Sequence, residues 1–148
     1  MPKPPEKSLR ARALDALSRR EHSRMELMRK LAPHTDNPDE LTALLDDLQQ
    51  RGWLSDARFA EQLVNARQSR YGSRKLAYEL REKGVADDLV NAAVANLHGT
   101  DLERARAIRE RKFGQMPASE KEKAKQVRFL QSRGFDWDVI RKILINTE

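Results

Sequence analysis

The stretch SRKLAYELREKGVADD, Ser73 to Asp88, is a helix bounded by a stop and a restart, and the rest of the chain repeats its grammar. Leu76 and Leu80 are four residues apart and share one helical face. Lys83 places a cation in the last turn, and Gly84 suits the left-handed residue that ends a helix. Val85 follows as an apolar lid, and Asp87 or Asp88 is placed to cap the next helix. All 6 glycines of the chain fall at expected helix ends, and no proline falls inside a helix. Such punctuation leaves room for short helices and little else.

The phrase recurs. Leu130-Gln131-Ser132-Arg133-Gly134-Phe135 matches Leu80-Arg81-Glu82-Lys83-Gly84-Val85 fifty residues later. A weaker copy lies about fifty residues earlier, with Ser23, Leu27 and Leu31 in place of Ser73, Leu76 and Leu80, and Pro33 in place of the glycine. Leu48-Gln49-Gln50-Arg51-Gly52-Trp53 is a fourth occurrence, out of phase. Chains of short helices also produce such phrases by chance, but flanking features repeat here too. A period near fifty lies in the range of stacked helical repeats.

Read in order, Met1 to Lys7 is a Pro-rich basic tail expected to be disordered. Ser8 caps a first helix bearing Leu9, Ala13, Leu14 and Leu17. Ser23 and Glu26 form a capping box for the second, with Met25, Leu27, Met28 and Leu31 apolar. Asn37, Pro38 and Glu40 start the third, which carries Leu41, Leu44, Leu45 and Leu48 to Gly52. Ser55 caps the fourth, with Phe59, Ala60, Leu63 and Val64 at helical spacing, and Ser73 opens the fifth. The sixth runs from about Asp87 to Leu97. Thr100 and Glu103 box the seventh, Ser119 and Glu122 the eighth. Asp136 caps the ninth, with Trp137, Ile140, Ile143, Leu144 and Ile145 facing inward. The expectation is an all-α protein of three tandem three-helix, helix-turn-helix-like repeats in an elongated, curved array. Residues 8–148 would form one repeat domain, with units of about 8–52, 53–99 and 100–148.

Several functions are disfavoured by composition. Without cysteine there are no disulfides or thiolate metal sites. His22, His34 and His98 are scattered with no metal-ligand spacing, so no metal or cofactor is expected. There is no glycine-rich phosphate loop. Adjacent acids such as Asp46-Asp47 and Asp87-Asp88 point about 100° apart on a helix, which does not suit paired catalysis. No apolar run approaches a membrane span and no secretory leader is evident, so a cytoplasmic, non-enzymatic protein is expected. The net charge of +6 favours an anionic partner.

The positive charge is segregated. In each unit the first helix ends in a basic cluster: Arg19, Arg20 and Arg24; then Arg67, Arg70, Arg74 and Lys75; then Arg109, Arg111 and Lys112. Stacked units would align these clusters on one face, although single arginines also suit ordinary surface pairs such as Glu21 with Arg24 and Glu79 with Lys83. The aromatic residues, Trp53, Tyr71, Phe113, Phe129 and Trp137 among them, read first as packing and second as base-stacking platforms. Trp53 is expected to be partly exposed.

Taken together, these residues resemble the RecX family of recombination regulators. The likeness rests on Arg20-Glu21-His22-Ser23 with Glu26-Leu27 and Lys30-Leu31, on Gly52-Trp53-Leu54-Ser55-Asp56 with Arg58-Phe59-Ala60, and on Tyr71-Gly72, Leu80 and Lys83-Gly84. Arg128-Phe129-Leu130 and Arg133-Gly134-Phe135 complete it. It spans about Arg10 to Leu144. Ser55 stands where the family commonly has an acidic residue, and serine caps equally well. The resemblance implies three three-helix units that bind the RecA recombinase filament, lodge in its groove and inhibit strand exchange and ATP hydrolysis. It supplies no catalytic motif. The chain is expected to act as a monomer, with weak, salt-sensitive DNA contact. Two alternatives stay open: a general nucleic-acid-binding helical module, and a protein-interaction scaffold. Sequence-specific major-groove reading is disfavoured, because the third helices PDELTALLDDLQQ and DDLVNAAVANL lack cations.

Overall fold

The computed structural model describes residues 6–145. The expectation of a disordered tail over Met1 to Lys7 therefore lies, for residues 1–5, outside the described residues; Lys7 pairs with Asp15. Nine α-helices and two short 3₁₀ turns make up the described chain. They are α1 (Leu9–Arg19), α2 (Arg24–Leu31), α3 (Pro38–Gln50), α4 (Asp56–Arg67), α5 (Ser73–Glu82), α6 (Asp87–Val94), α7 (Asp101–Phe113), α8 (Glu120–Ser132) and α9 (Trp137–Leu144). Most caps are those read from sequence. Ser8, Ser23, Asn37, Ser55, Ser119 and Asp136 each accept a backbone N–H of the first turn, and Ser23 with Glu26 completes a capping box.

Three apolar cores form in succession along the chain. The first joins α1 to α3 around Leu27, Leu45, Leu48 and Leu54. The second joins α4 to α6 around Phe59, Leu76, Leu80 and Val90. The third joins α7 to α9 around Ile108, Leu130, Phe135 and Ile140. Because each core is small, much surface stays wet: 9729 Å² is accessible, against roughly 7,800 Å² for a compact monomer of this mass. The array is elongated.

The repeated phrase is what stacks the units. The N–H of Gly72 donates to the carbonyl of Arg133 (2.6 Å), and that of Arg74 to Gly134 (3.2 Å), so the end of α8 abuts the start of α5. The end of α5 abuts the start of α2 in the same way, through the Ser23 hydroxyl on the Lys83 carbonyl (2.7 Å). Lys75 packs where Gly134 lacks a side chain, and Met25, fifty residues before Lys75, packs where Gly84 lacks one. Three middle helices thus run head to tail. Each junction satisfies donors and acceptors that a helix end leaves open, and the helix dipoles add in series.

Other local expectations are corrected. Asp87 and Asp88 lie in the first turn of α6 behind Ala86 and cap nothing; Asp87 instead pairs with Arg81 (3.1 Å). Thr100 turns its hydroxyl back to the Leu97 carbonyl, so no box opens α7. Ser73, by contrast, opens α5 as read, behind Gly72 at the N-cap. Leu14 and Met28 are exposed, because α1 packs through Ala13 and Ala16 and α2 through Leu27 and Leu31, one helical step away. Trp137 is 48% exposed: it stands at the first position of α9, before the inward stripe of Ile140, Ile143 and Leu144. Ile145, just past the helix end, is also exposed. The expected local ion pairs are replaced by longer ones. Glu21 pairs with Arg58, Arg24 with Asp46, Glu79 with Arg67, and Lys83 with Glu26.

Candidate binding face

The basic residues sort by what holds them. Arg20 forks onto both Glu26 oxygens (3.0 and 2.8 Å), and that pairing raises the pKa of its guanidinium. Arg24 contacts Asp46 (2.7 Å) and Gln49. Arg67 reaches Glu79 (2.7 Å). Arg109 is buried in α7, its Nε and Nη1 without partners and Nη2 3.7 Å from Glu110. Arg20, Arg24 and Arg67 are thus neutralised by acidic partners, and Arg109 is withdrawn from the surface. Arg19 borders a surface depression with Arg12 and Lys30.

The remaining cations gather where the second and third units meet. Tyr71, in the turn between α4 and α5, lies under Arg67 (4.7 Å), Lys75 (4.8 Å) and Arg133 (5.3 Å). Phe129 lies under Arg133 (5.0 Å) and Lys112 (5.6 Å), and meets Phe113 edge-on at 5.4 Å. Arg111 donates to the Ser69 carbonyl (2.7 Å). Arg70, Arg111, Lys112 and Arg133 line one depression of about 230 Å³ with Ile108 and Phe129. Among the described residues, none of Arg70, Arg74, Lys75, Arg111, Lys112 and Arg133 forms an ion pair with a carboxylate. A guanidinium seated on a ring or a carbonyl keeps its full charge for an outside anion. The Arg67 hydrogen bond, with Arg133 and Lys75 nearby, also holds the Tyr71 hydroxyl below its ordinary pKa.

Two residues that sequence reading passed over matter here. Arg133 is the cation of the repeated phrase, legible as a helix stop but not as a bridge between two rings. Arg104 carried no signal. Its guanidinium is buried between units, donating to the carbonyl of Gln68 (2.7 Å) and to Asp101, and burial lowers its pKa. Ser73 donates to the same Asp101 (2.6 Å), with His98 Nδ1 at 3.2 Å from the hydroxyl. This Ser–His–Asp group is no nucleophile relay. A relay needs the imidazole to bridge serine and aspartate through different nitrogens, whereas here Nδ1 faces both and the serine bonds the aspartate directly. It locks α5 to α7. Of the other histidines, His34 is exposed, and His22 is buried with its Nδ1 at the Arg20 carbonyl (3.1 Å).

A line of three-helix units, stacked through their middle helices and carrying a ring-bedded cluster of cations without acidic partners among the described residues, defines a tandem helical-repeat protein. Its relatives narrow the class. Residues 55–94 match the family model for the second three-helix domain of RecX, and residues 100–144 the model for the third. The regulatory protein RecX of Ralstonia nicotianae is 51% identical over 137 residues, covering 93% of this chain and 86% of that protein. Its counterpart in Neisseria gonorrhoeae is 41% identical over 140 residues, covering 95% and 91%. The crystal structure of RecX from Lactobacillus salivarius superposes with a TM-score of 0.78 at 20% identity, over 91% of each chain, a likeness of fold. The chain belongs to the RecX family of regulatory proteins.

Proposed function

We propose that this protein binds the RecA nucleoprotein filament as a monomer in the cytoplasm and inhibits its ATPase and strand exchange without catalysing a reaction itself. The observation that carries this reading is the cluster of uncompensated cations at the junction of the second and third units. Two units joined by backbone hydrogen bonds and the buried Ser73–Asp101–Arg104 lock hold those charges in fixed relation, which suits a repeating polyanionic surface. Family membership supports the regulatory role. Duplex reading by a third helix is less suited: α3 exposes Asp39, Glu40 and Asp46, with Asp36 exposed in the turn before it, and phosphates would repel them.

The test is RecA ATPase on single-stranded DNA, with this protein well below the RecA concentration. The parent chain should inhibit. Arg70→Glu with Arg74→Glu should raise the half-inhibitory concentration at least about tenfold, since two close charge contacts are reversed. Neither side chain serves an internal ion pair, so the fold should be unchanged. An ATPase indifferent to the parent chain overturns the reading.

A further inference from the structure

A second feature of the same junction needs no recombinase. Between α5 and the start of α9 runs an open groove of about 600 Å³. Arg74, Lys75, Tyr78 and Glu79 line it from α5, and Gln131, Ser132 and Trp137 from the third unit, with Phe135 as its buried floor. Tyr78 is 62% exposed and Trp137 48% exposed. Two aromatic rings left wet on one groove mark an interaction surface. We propose that this groove binds single-stranded nucleic acid, with unpaired bases stacking on Tyr78 and Trp137 and the backbone following Arg74 and Lys75.

Charge, shape and continuity support this occupant. Glu79 is the one carboxylate among the lining residues, and Arg67 neutralises it at 2.7 Å. Arg74 has no acidic partner among the described residues. The groove is wide and open, which suits flat bases; a hydrophobic peptide anchor would prefer a closed pocket. Lys75, shared by the groove and the Tyr71 ring, leads on to Arg133 and from there to Arg70, Arg111 and Lys112. A strand leaving the groove therefore meets phosphate ligands. In a duplex the base faces are already stacked on one another, so the two rings would have nothing to cover.

The experiment uses the full chain carrying Trp53→Phe, which leaves Trp137 as the one indole of the two in the sequence. An oligothymidylate of about 20 nucleotides, a duplex of equal length and an acidic oligopeptide are titrated separately, at low and moderate salt, without RecA. The single strand should quench Trp137 to saturation and bind more tightly than the duplex. In labelled-strand anisotropy, Trp137→Ala and Tyr78→Ala should each weaken binding roughly 5- to 150-fold, the range for losing one stacked base, while Trp137→Phe retains most of it. Arg74→Ala should lower the salt slope by about one. Circular dichroism identical to the parent's excludes misfolding. The proposal is overturned if the alanine variants bind like the parent, if duplex and single strand behave alike, or if only the acidic peptide quenches. RecA inhibition is read in a separate assay, so either proposal can fail alone.

Discussion

Replacing Gly134 with alanine should be among the most damaging single-methyl changes available in this chain. Its φ is +92°, in the left-handed region where an alanine costs about 1–2 kcal/mol. The added Cβ would also overlap Lys75, with the backbone nitrogen at 2.6 Å and Cα at 3.0 Å. Backbone on both sides cannot yield as a side chain would, so overpacking adds about 1–3 kcal/mol. If the segments part to relieve it, the bonds from Gly72 to Arg133 and from Arg74 to Gly134 are weakened, at about 1 kcal/mol each. Strain with the clash, or strain with the lost bonds, gives a total of roughly 2–5 kcal/mol. Gly52→Ala is the control: its φ is +78° and it ends its helix with the same backbone bonds, but nothing lies within 4 Å of the new methyl, so it should lose only about 1–2 kcal/mol of backbone strain. Gly72→Ala isolates the opposite component, since its backbone is ordinary (φ −80°) but its Cβ would strike the Gly134 carbonyl. Urea unfolding followed by circular dichroism gives the three values, and hydrogen exchange at α5 and α8 shows whether the junction opens first. Equal losses for Gly134→Ala and Gly52→Ala would refute the stacking argument.

Burial lowers the pKa of His22, whose Nε2 has no partner, and the cations Arg20 and Lys30 add to this against Glu26 and the Arg20 carbonyl. The unfolded chain therefore takes up the proton first, so stability is full above about pH 6.5 and falls as pH drops toward the depressed folded value. Unfolding midpoints from pH 7.5 to 5 should show this decline, and His22→Gln should flatten it. Glu26 acts at lower pH: burial raises its pKa, but Arg20, the Ser23 N–H and Lys83 outweigh it, so its contribution is present above about pH 4.5 and lost below. Glu26→Gln should remove that acid limb. Ser73→Ala leaves the buried Asp101 short of a donor and should cost about 1–3 kcal/mol in chemical denaturation. Ser119→Ala, an exposed cap, should cost about 1 kcal/mol, and a Ser73 loss no larger would sink the lock.

Sequence alone determined the helices. Helix starts, stops and apolar stripes are local properties, set by side chains within four residues of one another, and Leu41, Leu44, Leu45 and Leu48 or the Ser23–Glu26 box needed nothing more. The fifty-residue period likewise announced stacking: the glycine returns at Gly84 and Gly134, and the residues that pack against them, Met25 and Lys75, are fifty apart. Partners across units were decided only by the tertiary structure. Glu21 sits three residues from Arg24, yet the fold brings Arg58 to it and sends Arg24 to Asp46. Ser73 read only as the start of a helix until Asp101 came within reach of its hydroxyl. Arg20 and Arg133 look alike on paper. Packing gave one a carboxylate to neutralise it and the other two aromatic faces that leave its charge free, because neighbours across a junction belong to no local window of the chain.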